Sequence, residues 1–140
     1  RALGIATSTD VGTVVAQIAE VSVEQGEIRV HKVTSVVDPG LVINPDGATA
    51  QIQGSIIMGL SSTLVEEVTI EDGQLVANNF NRYPILRMVD TPEIDVVLLE
   101  SSDTPHGMGE PPIGPIAASV ANAVFALTGQ RLRSLPLKLK

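Results

Sequence analysis

The chain has 140 residues, 44% of them hydrophobic and 18% charged. That balance provides for a folded core, and the length suits one domain or part of one, excluding a disordered tail and a whole multi-cofactor enzyme. Sixteen acidic against nine basic residues leave a net charge of -7, with only Phe80, Tyr83 and Phe125 as aromatics and no cysteine. Phosphate neutralisation and base stacking are therefore poorly served, which excludes nucleic acid as a partner. Disulfides, thiolate zinc sites, iron–sulfur ligands and thiol nucleophiles are excluded outright.

The chain opens at Arg1 with no basic segment followed by an apolar one, so no signal peptide is visible and the start reads as a cut. The longest apolar stretches, such as residues 54–60, fall far short of the roughly 20 residues a spanning helix needs, and no transmembrane segment is expected. Residues 14–23 and 27–37 are rich in valine and isoleucine around Glu24-Gln25-Gly26, which predicts a β-hairpin. Apolar residues occur on both parities, implying burial on both faces or a bulge. Asp38-Pro39-Gly40 ends the second strand, and Asn44-Pro45 has the form of a helix cap followed by proline at the first helical position. A helix is expected to about Glu67, with Ile52, Ile56, Leu60 and Leu64 as its stripe and with Gly54 and Gly59 where another backbone comes close.

Glu71-Asp72-Gly73 predicts a turn between short strands, residues 78–91 an irregular crossing, and residues 93–100 a further strand. Two glycines and three prolines in residues 105–112 preclude helix and regular strand, leaving a shaped loop. Pro115 opens a second helix bearing Ile116, Val120, Val124 and Leu127, which Gly129 terminates, and residues 132–139 read as a terminal strand. No internal repeat or low-complexity tract is present. The order indicates an α+β fold, a mostly antiparallel sheet with two main helices.

Among residues able to carry chemistry, Glu110 stands out because glycines precede it and Pro111-Pro112 stiffens the chain after it. Loop acids mostly lie on the surface, so spacing alone leaves it either a solvated carboxylate or a general base aimed into a site. Gln51, on the long helix, has an amide suited to a heteroatom-rich ligand or to an ordinary polar face. Asp38 suits a turn-capping role. His31 and His106 would need to meet, with a further ligand, to hold a metal, and the spacing favours surface or hydrogen-bonding roles for both. Ser55, Ser61 and Ser62 lack a base at recognisable spacing and form no nucleophile elbow.

Four ordered stretches carry a family likeness: Val36-Val37-Asp38-Pro39-Gly40 with Ile43-Asn44-Pro45; Gln51-Ile52-Gln53-Gly54 with Gly59-Leu60; Gly107-Met108-Gly109-Glu110-Pro111; and Ala121-Asn122-Ala123-Val124-Phe125 with Thr128-Gly129 and Leu135-Pro136. Together they resemble the C-terminal part of the molybdenum-binding subunit of the xanthine dehydrogenase and aldehyde oxidase family, nearest in type to the isoquinoline 1-oxidoreductase β subunit. Residues 12–17, Asn79-Phe80 and Pro92-Glu93-Ile94 extend the likeness over nearly the whole chain. Pro39, Gln53, Ser55 and Met108 depart from the more usual residues without removing a group assigned below.

The resemblance implies that residues 1–140 are the C-terminal segment of a molybdenum-cofactor-binding domain. It implies a hydroxylase acting on an N-heterocyclic aromatic or an aldehyde with oxygen from water. Glu110 matches the glutamate that faces the molybdenum and takes a proton from its hydroxyl ligand. Gln51 matches a glutamine that hydrogen-bonds the pterin, and Gly109 lets the loop pass close to the metal centre. No residue of this chain is expected to ligate the metal. The implied cofactor is molybdopterin, in its cytosine dinucleotide form, not held tightly by this segment alone. The implied partners are the remainder of the subunit, a subunit carrying iron–sulfur clusters, and a small-molecule substrate. The compartment stays open between the cytoplasm and export to the periplasm after cofactor insertion. A non-catalytic binding or assembly domain of the same fold is the alternative, and an unrelated acidic ligand-binding domain a weaker third. On the leading reading the long helix and the Glu110 loop present apolar or poorly satisfied surface to the missing part.

Overall fold

The computed structural model describes residues 1–139. In chain order the elements are β1 (Ala2–Asp10), β2 (Thr13–Glu24), β3 (Glu27–Asp38), α1 (Pro45–Leu64), β4 (Ile70–Glu71), β5 (Gln74–Leu75), β6 (Glu93–Leu98) and α2 (Ile113–Thr128). Strands β1, β2 and β3 pair antiparallel, and β6 adds in parallel to β3, giving the sheet order β1-β2-β3-β6. β4 and β5 form a separate small hairpin around Asp72-Gly73. The fold is thus α+β with a mostly antiparallel sheet, as the sequence indicates.

Both helices pack on one face of the sheet, and alternation along β2 explains why. Val15, Ala19 and Val21 point inward with Val33 and Val37 of β3, all fully buried. They meet Ile52, Ile56 and Leu60 of α1 and Ile116, Val120 and Val124 of α2, also fully buried, each worth roughly 1.5–3 kcal/mol when removed from water. Asn44 caps α1 by accepting a hydrogen bond from Gly47 N at 3.1 Å, with Pro45 in the first helical position. Gly129 ends α2 at φ 73°, the left-handed conformation that relieves a C-terminus.

The two-parity pattern of the hairpin has two causes. Glu20 pairs with Lys32 but Val21 with Val30, so His31 is the extra residue of a β-bulge. The outer sheet face, free of helices, is itself apolar: Ile5 lies opposite Ile18, Ala16 opposite Val36, and Val36 opposite Val97. Leu3, Ile5, Val14, Val97 and Leu99 on or beside it are between 45% and 65% exposed. A polar row crosses its end, where Lys32 pairs with Glu93 at 3.0 Å and Asp95 at 2.5 Å.

Several local expectations are corrected. β1 has no counterpart in the sequence reading, because Ala2, Gly4, Ala6 and Ser8 dilute the β-branched Ile5, Thr7 and Thr9, and cross-strand pairing with β2 supplies what propensity lacks. Residues 132–139 form no strand; Pro136 brings no N–H to a ladder, and Leu137 N donates instead to Thr63 O at 2.7 Å, tying this segment to the end of α1. α1 stops at Leu64 rather than Glu67, and α2 starts at Ile113, two residues before Pro115. Gly59 does face a close neighbour, Ile116, but Gly54 has nothing within 4 Å of a built Cβ. Exposed apolar surface on α1 is limited chiefly to Met58, and the larger areas lie on the outer sheet face and in residues 68–89, where Phe80, Met88 and Val89 are 83–95% exposed.

Candidate active-site loop

Residues 103–112 run without regular structure between β6 and α2, yet they are fastened along their length. Leu41 N donates to Asp103 O at 3.0 Å and His106 N to Pro39 O at 2.8 Å, joining the loop to the segment after β3. Thr13 Oγ1 donates to Gly107 O at 2.5 Å, and Gln17 Nε2 to Pro112 O at 2.9 Å, joining it to β2. Ile113 N donates to Glu110 O at 2.8 Å, so the chain turns directly from Glu110 into α2. Pro111 and Pro112 are buried while Glu110 is exposed. The stiff pair anchors the chain and leaves the carboxyl-bearing residue at the surface.

This loop meets the second turn of α1. A Cβ at Gly109 would lie 3.0 Å from Gln51 Oε1, the far end of an exposed side chain, so the glycine leaves room beside the amide that a side chain would narrow. Gln51 and Gly109, 58 residues apart in sequence, therefore meet, and Glu110 follows Gly109 directly in the chain. Glu110 makes no side-chain hydrogen bond or ion pair within the described residues. The donor set suits a pterin: an exposed carboxamide that both donates and accepts, a glycine leaving room beside it, and an unengaged carboxylate.

The other candidates separate from this cluster. Asp38 accepts from Gly40 N at 3.2 Å and shapes the turn after β3. The His106 imidazole covers Gly12, where a Cβ would come within 2.5 Å of the ring. His31 sits in the bulge, Nε2 2.7 Å from Ser22 Oγ, roughly 20 Å up β3 from the strand end where His106 is tied. It borders a cleft of about 580 Å³ lined also by Arg29, Leu64 and Asp90, which includes none of Gln51, Gly109 and Glu110. Among the described residues no three histidine, aspartate or glutamate side chains gather as metal ligands, and no helix is long and apolar enough to cross a membrane.

Thr13 and Gln17 escape sequence reasoning on chemistry. Both are fully buried on the inner face of β2 among valines, and a glutamine at the inward parity of an otherwise apolar strand is the signal that marks them.

Residues 5–92 match the molybdopterin cofactor-binding domain family. Isoquinoline 1-oxidoreductase subunit beta of Brevundimonas diminuta is 40% identical over 139 residues, 98% of this chain and 18% of that protein. A membrane-bound aldehyde dehydrogenase (pyrroloquinoline-quinone) of Gluconacetobacter polyoxogenes is 41% identical over 123 residues, 86% of this chain and 16% of that one. The crystal structure of quinoline 2-oxidoreductase from Pseudomonas putida 86 superposes with a TM-score of 0.76 at 32% identity, covering 89% of this chain and 17% of that one. The chain thus spans less than a fifth of each of these proteins.

Proposed function

This chain belongs to the molybdopterin cofactor-binding domain family, and from that membership we propose that it is the C-terminal segment of the molybdenum-binding subunit of a hydroxylase oxidising an aldehyde or an N-heterocyclic aromatic. Glu110 is its general base, and Gln51 and Gly109 bind the cofactor, which is the cytosine dinucleotide form of molybdopterin. The rest of the subunit and an iron–sulfur subunit complete the assembly. The helix-free sheet face with Leu3, Ile5, Val14 and Val97 exposed supports a segment that packs against further protein.

The observation that carries this reading is the meeting of Gln51 Oε1 with Gly109, directly before a carboxylate that nothing else in the described chain engages. The bound cofactor supplies the redox change and the activated water. The chain's own residues bind, orient and move a proton. The Gln51 amide holds pterin heteroatoms through its donors and acceptor, Gly109 allows close approach, and Glu110 takes the proton at its carboxylate.

The test is elemental and cofactor analysis of the native assembly together with a Glu110→Gln variant of it. Near-stoichiometric molybdenum and pterin are expected, and the variant should keep both while losing about 10²–10⁴-fold in kcat, the range of a lost general base. Full turnover by the variant would remove Glu110 from the chemistry. An intact assembly without molybdenum, or one carrying pyrroloquinoline quinone in its place, would overturn the hydroxylase reading.

A further inference from the structure

We infer that Thr13 and Gln17 of β2 act as a two-point clamp that positions Glu110, an inference that rests on the proposed role of that carboxylate. The two residues sit four positions apart on the same inward face of one strand, about 13 Å along it, and both are fully buried. One holds Gly107 O, three residues before Glu110; the other holds Pro112 O, two residues after it. Between these points the other fastenings are the burial of Pro111 and Pro112 and two local bonds into α2, Ile113 N to Glu110 O and Gly114 N to Pro111 O, none of which reaches the sheet through a hydrogen bond. Pro111 and Pro112 carry no N–H, and residues 107–112 belong to no helix or strand. The strand is rigid because it is paired on both sides, by β1 and by β3, so it transmits a fixed spacing to the loop.

Gln17 is poorly explained as packing. Its Nε2 donates to Pro112 O and reaches Ser35 Oγ at 3.4 Å, but its Oε1 is buried without a partner. A methionine of similar shape would fill the same space without the desolvated, unpaired oxygen. Besides the long 3.4 Å reach to Ser35 Oγ, the amide adds what a methionine cannot, the 2.9 Å bond that fixes the chain where it enters α2. Thr13 has the same logic: valine matches its shape and lacks only the hydroxyl that reaches Gly107 O.

Gln17→Met and Thr13→Val in the full native assembly test the clamp, with Thr13→Ser as the conservative control. Hydrogen exchange followed by mass spectrometry on peptides covering residues 105–114 is the first readout, since the amides of His106 and Ile113 report the loop through their bonds to Pro39 O and Glu110 O. Either variant should exchange there at least 5-fold faster, with α1 and β3 unchanged, while Thr13→Ser behaves as wild type. Molybdenum content and Tm should hold, and kcat should fall at least 10-fold with KM within 2-fold, as expected when a proton acceptor is misplaced by about 1 Å. Unchanged exchange in both folded variants would overturn the clamp whatever Glu110 does. Faster exchange with unchanged kcat would overturn the positioning role. Wild-type turnover by Glu110→Gln would instead strike the reading on which it rests.

Discussion

Two glycines should respond to the same substitution with opposite signs. Gly4, buried in β1, faces α2 so closely that a Cβ would overlap the backbone Ser119 O and Ala123 N and stand 3.0 Å from Ala123 Cα. Backbone atoms cannot rotate aside, so Gly4→Ala requires α2 to separate from the sheet by about 1 Å, the shortfall from ordinary contact distance. A gap of that size forfeits a quarter to a half of each dispersion contact along a helix whose Ile116, Val120 and Val124 are fully buried. Adding the usual 1–3 kcal/mol of overpacking gives a loss of at least ~3 kcal/mol. Gly54 sits mid-helix in α1 with open space beyond it, so Gly54→Ala should stabilise by ~1 kcal/mol through helix propensity alone. With a urea m-value of about 2 kcal/mol/M, circular dichroism should show the midpoint falling by roughly 1.5 M for Gly4→Ala and rising by roughly 0.5 M for Gly54→Ala. A Gly4→Ala midpoint within 0.5 M of wild type would refute the close approach of α2 to β1. A lowered midpoint for Gly54→Ala would refute the open face of α1.

Val11 holds φ 43° in the turn between β1 and β2, a conformation costing a β-branched residue about 1–2 kcal/mol, so Val11→Asn should raise stability by ~1 kcal/mol in the same unfolding assay. An unchanged or lowered midpoint would count against strain at that turn. Asp95, with Glu93 behind it, raises Lys32 to about 12, so its ion pairs contribute fully below the unfolded lysine value of about 10.4 and fade as pH rises through 12. The Tm difference between wild type and Lys32→Met should therefore be level from about pH 6 to 10 and shrink between about pH 10.4 and 12. A difference that persists at the alkaline end would refute the pairing.

Much of this protein was legible without coordinates, wherever neighbouring residues alone determine the outcome. Asn44-Pro45 starts a helix because a side-chain cap and a missing N–H act within one turn, and Gly129 ends one because it enters the left-handed region freely. The loop of residues 105–112 was legible because proline and glycine forbid the regular alternatives. Family likeness, a matter of residue order, brought Gln51, Gly109 and Glu110 forward together.

What the sequence could not determine lies across the fold. β1 is a strand through its pairing with β2, and residues 132–139 fail to be one because Thr63 O takes the Leu137 amide. Gly4 and Gly54 look alike in the sequence, but one lies beneath a helix backbone and the other faces open space. The contact of Gln51 with Gly109, and the hold of Thr13 and Gln17 on the Glu110 loop, join residues 58 to 95 positions apart. Such contacts exist only once the sheet and both helices have packed, because local propensity reaches a few residues along the chain and packing alone brings distant ones within hydrogen-bond range.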